Sequence, residues 1–163
     1  MYLLSGVAKH HDWGSRQAIP DFIGESPSSE PFAELWFGAH PLGASCLQTG
    51  GTLRELIAQD PENTLGPSVR FSLGDELPYL VKFIAPALPL SVQVHPGRRR
   101  AVTGFQLEEQ RGMPVGARER SFQDATHKPE MVYALTQFDG LVGFVVRRQA
   151  RERLENLDSK TAS

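Results

Sequence analysis

Leu88-Pro89-Leu90-Ser91-Val92-Gln93-Val94-His95-Pro96 is the stretch on which the reading of this chain turns. In a strand successive side chains alternate faces, so Ser91, Gln93 and His95 point one way and Leu90, Val92 and Val94 the other. If the apolar face packs between sheets, the polar face must look into a barrel mouth or cavity where those groups find partners. His95 can offer an imidazole nitrogen to a divalent metal and Gln93 an amide oxygen, an unusual zinc ligand. The same pair also fits a simple hydrogen-bonded arrangement with each other or with backbone, and the pattern by itself leaves both readings open.

A second stretch, Thr126-His127-Lys128-Pro129-Glu130-Met131-Val132-Tyr133-Ala134-Leu135-Thr136, places Lys128 and Glu130 on one strand face, with Val132 and Ala134 continuing it. A carboxylate there can supply a third metal ligand. The alternative is a Lys-Glu pair at a strand edge, which stabilises little when exposed.

Working outward, residues 33–38 and 79–85 are short, aromatic or β-branched and bounded by Pro or Gly, as buried strands are. Residues 130–136 and 141–146, joined across an Asp139-Gly140 connection, read as a hairpin. Thr52 and Glu55 have the spacing of a capping box and predict a helix to about Gln59. Residues 98–110 read as a helix with Val102, Phe105 and Gln106 on one side, although Gly104 weakens it. Residues 15–31 and 111–126 read as loops. From residue 147 a helix begins, and Val146, Ala150, Leu154 and Leu157 form its apolar stripe. Many short strands with frequent turns and a few helices predict a mainly β barrel or jelly roll.

The chain has 163 residues, enough for one domain with a real core. With 40% hydrophobic and 22% charged residues it falls among globular chains rather than disordered or membrane-spanning ones. A formal charge of −2 with scattered Lys and Arg gives no field for a nucleic-acid backbone. No run approaches membrane-spanning length and no signal peptide opens the chain, so a cytoplasmic location with no membrane partner is expected. The single cysteine, Cys46, forms no internal disulfide and fits a reducing compartment.

Taken together, DWG (12–14), FAELWFGAHP (32–41), LPYLVKF (77–83), PLSVQVHP (89–96) and HKPEMVYALTQFDGLVGF (127–144) closely resemble the type I phosphomannose isomerase family, in order and in approximate spacing. The resemblance implies a cupin-type jelly-roll barrel, incomplete at its C-terminal end. It assigns residues 1–146 to the N-terminal part of the metal-binding domain and 147–163 to the start of a helical segment. It implies one Zn2+ per chain held by Gln93, His95 and Glu130. By the same resemblance Ser91 and Lys128 would lie near the substrate phosphate, Lys82 and His127 would line or support the pocket, and Trp13 resembles an aromatic wall of the family's site. Among the residues present, Lys128 is the candidate for a catalytic role. Glu34, His40 and Cys46 read as structural.

The family reaction interconverts mannose 6-phosphate and fructose 6-phosphate by moving a proton between C1 and C2, so a sugar phosphate is the expected partner. In the family a fourth ligand, a histidine, and a principal arginine come from a later segment, and no histidine follows His127 here. The competing expectation is therefore an inactive cupin fragment with weak or no metal binding. His11 stands where a Tyr is common in the family, and Arg98 to Arg100 replace a more mixed helix start.

Overall fold

The computed structural model describes residues 1–161, with side chains as far as Leu157. Two compact units form, Met1–Gln93 and Val94–Ser163, and each is described by itself.

The first unit opens with two short strands, β1 (Leu4–Ser5) and β2 (Val7–Lys9), and a one-and-a-half-turn helix, α1 (Ala18–Ile23). That helix lies in the stretch read as a loop. It ends at Gly24, whose φ of 78° is the left-handed conformation glycine adopts without a Cβ penalty. Then come β3 (Glu34–Phe37), β4 (Ala39–His40), β5 (Gly43–Ala44) and β6 (Cys46–Leu47).

The expected capping box is present. The Thr52 hydroxyl accepts the Glu55 N–H, and the Glu55 carboxylate accepts the Thr52 N–H at 2.7 Å, starting α2 (Leu53–Gln59). Two further short helices, α3 (Pro61–Leu65) and α4 (Pro67–Leu73), each begin on a proline that gives up no hydrogen bond in a first turn. Strand β7 (Val81–Ile84) closes the unit's three-stranded antiparallel sheet, ordered β2-β3-β7. Its core face packs Leu35, Phe37 and Phe83 with Ile19, Phe32 and Ala85.

Gly14 of the DWG turn is required by close approach. A Cβ there would stand 2.6 Å from both the Ala33 nitrogen and Cα, and this backbone cannot give way as a flexible side chain can. Gly14→Ala is expected to destabilise the unit by about 2 kcal/mol and to lower its Tm by roughly 8–16 °C, measured by thermal unfolding.

The second unit carries α5 (Arg98–Gln110) and α6 (Arg147–Thr161). Both helices stand where the sequence predicts them. The buried side of α5 differs: Ala101 and Glu108 are buried with Phe105 half-buried, whereas Val102 and Gln106 are exposed. Gly104 is explained by the same packing, since the Phe122 ring lies 2.5 Å from where a Cβ would be.

Two expectations fail. Residues 88–96 run without strand pairing, and 130–136 and 141–146 form neither strands nor a hairpin. The alternation of side chains is there, but a strand persists through its ladder, and among the described residues no neighbour pairs with these stretches. Val92, Met131, Tyr133, Leu141 and Phe144 are consequently exposed. The observed sheets are small, with two, three and two strands, and no barrel closes among the described residues.

Candidate functional site

Register decides which side chains of the first unit meet. Trp36 stands opposite Lys82 on β7 and Val7 on β2, while Glu34 stands opposite Ile84 and Lys9. One face of the sheet therefore presents Lys9, Glu34, Trp36 and Lys82 together. Glu34 is buried, and its carboxylate accepts the Trp36 indole N–H at 2.6 Å. The Lys9 and Lys82 ammonium groups lie 4.6 and 5.1 Å from the indole centroid. Lys82 itself is exposed.

Trp13 is half-buried and stacks on His11, with ring centroids 5.4 Å apart and planes 18° from parallel. Its carbonyl accepts the N–H groups of Ala87 and Leu88 at 2.8 and 3.2 Å, while Ser15 donates to the Ala85 carbonyl at 2.8 Å. The turn thus fixes the course of the backbone that leads into Ser91 and Gln93, both of which are exposed.

In the second unit, His95 and Glu130, far apart in sequence, come together with Nδ1 and Oε2 3.7 Å apart. That is too long for a hydrogen bond and close to the separation, about 3.4 Å, of two ligands each about 2.0–2.1 Å from a tetrahedral zinc. Nitrogen plus carboxylate oxygen is a donor set that suits zinc, and the pair fits such an ion. Among the described residues no further His, Cys, Asp or Glu joins them in a group of three.

Lys128 donates to Asp124 at 2.7 Å rather than pairing with Glu130, which corrects the expected Lys-Glu edge pair. The Asp124 carboxylate also accepts from the Thr126 N–H at 2.9 Å and from the Thr126 hydroxyl. Partial burial pushes this carboxyl up, but the hydrogen bonds from Lys128 and Thr126 outweigh it and hold the group below its usual value. A carboxyl lowered by folding contributes stability that is full above its unfolded value, about 3.9, and is lost as pH falls through the folded value. Unfolding midpoints measured from pH 5 down to pH 2 are therefore expected to fall less steeply in Asp124→Asn than in the unsubstituted chain. His127 is half-buried beside this turn.

The stretch read as a polar loop hides a cluster that sequence reasoning missed. The Arg120 side chain is fully buried, 4.7 Å over the Phe105 ring, and pairs with Glu109 at 2.6 Å and Glu108 at 3.7 Å. It donates to the carbonyls of Phe122 and Met113, while the Glu108 carboxylate accepts the N–H groups of Ser121 and Phe122. The signal available in the sequence was spacing alone: Glu108 stands three residues after Phe105, which puts a carboxylate beside that ring on α5. A groove of about 570 Å3 lies elsewhere, between the β4–β5 turn and α2, lined by Leu42, Thr52 and Arg54 among others, and takes in none of the expected site residues. No helix among the described residues is long and apolar enough to cross a membrane.

Comparison with known proteins bears on these residues. The family described as phosphomannose isomerase type I, catalytic domain, matches residues 1–147. The mannose-6-phosphate isomerase of Escherichia coli strain K12 is 42% identical over 149 residues, covering 88% of this chain and 38% of the relative. That of Schizosaccharomyces pombe is 35% identical over 166 residues, covering 96% of this chain and 37% of the relative. The crystal structure of mannose 6-phosphate isomerase from Salmonella typhimurium bound to its substrate, fructose 6-phosphate, and zinc has a TM-score of 0.72 at 38% identity, over 78% of this chain and 33% of that one. This chain thus spans well under half the length of the curated relatives it matches. Covering nearly all of its residues, the family match shows that the chain belongs to the type I phosphomannose isomerases, within their catalytic domain.

Proposed function

We propose that this chain carries the zinc-binding and sugar-phosphate-binding residues of a mannose-6-phosphate isomerase that interconverts mannose 6-phosphate and fructose 6-phosphate. The observation that carries the reading is the approach of His95 and Glu130 to 3.7 Å in a chain of this family. Gln93, His95 and Glu130 hold one zinc ion, in the N-terminal part, residues 1–146, of a cupin-type barrel. When bound, zinc would polarise sugar oxygens and offset the negative charge that develops as a proton moves between C2 and C1.

The chain's own residues bind and orient. Lys128, steered by its bond to Asp124, presents a compact cation to the phosphate, and Ser91 adds a hydroxyl donor. An ammonium already held by a carboxylate serves better as a phosphate-binding charge than as a proton acceptor, so Lys128 acts on substrate by holding it. Trp13, Lys82 and His127 are the further substrate-binding residues of this reading. The lone thiol fits a cytoplasmic protein.

A coupled assay of mannose 6-phosphate conversion with added zinc tests this, run on the 163-residue chain and on a chimera continued from residue 147 into the remainder of the Escherichia coli relative. The chimera is expected to turn over and to lose turnover in Glu130→Gln. The 163-residue chain, with no histidine after His127, is expected to be at least about 100-fold slower. A chimera as active with Gln as with Glu at 130 overturns the reading.

A further inference from the structure

The sheet face of the first unit holds two ammonium groups and one carboxylate, and that carboxylate is already spent on the indole N–H. Among the described residues no carboxylate lies within ion-pair distance of Lys82, whose recorded side-chain contact is the Trp36 ring 5.1 Å away. A lysine head on a four-carbon stem is mobile unless something holds it, and an indole face attracts an ammonium electrostatically.

The ring is itself immobilised from three sides. Glu34 fixes its N–H at 2.6 Å, His40 meets it edge-on at 5.2 Å, and Lys9 sits 4.6 Å from its centroid. Lys9 is in turn anchored, donating at 2.5 Å to the Leu42 carbonyl in the β4–β5 turn. Its ammonium lies close against that turn, since a Cβ on Gly43 would stand 2.9 Å from Lys9 Nζ.

We propose that Trp36, locked by Glu34 and Lys9, is a positioning residue that holds the Lys82 ammonium at a set place on this face, where its uncompensated charge meets an anionic oxygen of the substrate. The substrate class, a phosphorylated sugar, rests on the function proposed above; the holding of Lys82 by the ring does not.

The test labels lysine ε-methylenes with 13C in the 163-residue chain and assigns Lys82 from the signal absent in Lys82→Arg. The Lys82 ε protons are expected to be shifted upfield by the indole ring current and to return to the position of a free lysine in Trp36→Leu. Lys9→Met, which keeps the stem and the fold, is expected to diminish the shift. Fructose 6-phosphate titrated with zinc present is expected to move the Lys82 signal, with Kd raised roughly fivefold in Lys9→Met and in Trp36→Leu. Lys82 signals in Trp36→Leu identical to those of the unsubstituted chain overturn the proposal, as does an unchanged Kd in both variants. A ring-shifted Lys82 that ignores fructose 6-phosphate upholds the positioning and sinks the sugar-phosphate reading alone.

Discussion

His95→Ala is expected to lower zinc affinity by at least about 100-fold, read from competition with a chromophoric chelator. Loss of a supporting hydrogen bond to a metal ligand already costs about 10–100-fold, and loss of the imidazole itself costs more. The remaining groups, an amide oxygen and a carboxylate, form a poor set for a borderline-soft ion. Glu130→Gln is expected to weaken binding as well, because it keeps the shape and an oxygen but removes the negative charge that lies 3.7 Å from His95.

Arg120→Met is expected to destabilise the second unit by about 3–5 kcal/mol, the cost of breaking a buried ion pair by removing one partner. Methionine fills the space over Phe105 but leaves the Glu109 carboxylate and the Met113 and Phe122 carbonyls without the guanidinium. Burial pushes the Glu108 carboxyl up, and the Ser121 and Phe122 N–H groups together with Arg120 and Arg111 bring it below its ordinary value. Removing the arginine takes away one of those offsets. The consequence reaches the candidate site through the chain, because residues 120–122 lead into the Asp124–Lys128 turn. Hydrogen exchange is the check: the Ser121 and Phe122 amides, protected by Glu108, should exchange faster in Arg120→Met while the amides of β3 and β7 in the first unit hold their rates.

What the sequence made legible was local. Thr52 and Glu55 sit three residues apart and close their capping box without help from elsewhere. Strands β3 and β7 are short apolar runs between breakers, and α5 and α6 are long enough for helical spacing to show. Apart from α1, a short helix in a stretch read as a loop, the failures were non-local. Residues 88–96, 130–136 and 141–146 carry strand alternation, yet alternation states only which side chains share a face and says nothing of whether a ladder partner is at hand.

Arg120 looked like a surface residue because its partners, Glu108, Glu109 and the Met113 carbonyl, come from the other side of a turn that spacing does not reveal. Likewise Lys9, Trp36 and Lys82 belong to three strands, and only the register Val7↔Trp36↔Lys82 brings them to one ring. Of the expected site residues, His95 and Glu130, which the family resemblance put on one zinc ion, approach each other, though without the strands. Lys128 turned instead to Asp124, a partner four residues back in its own turn.

X-ray absorption at the zinc edge of the zinc-loaded chain tests most directly whether these residues are a zinc site. Nitrogen and oxygen neighbours at about 2.0–2.2 Å with the outer-shell scattering of an imidazole are predicted, and that imidazole scattering should vanish in His95→Ala. Imidazole scattering that persists in His95→Ala, or a sulfur neighbour at about 2.3 Å from the exposed Cys46, would contradict the account.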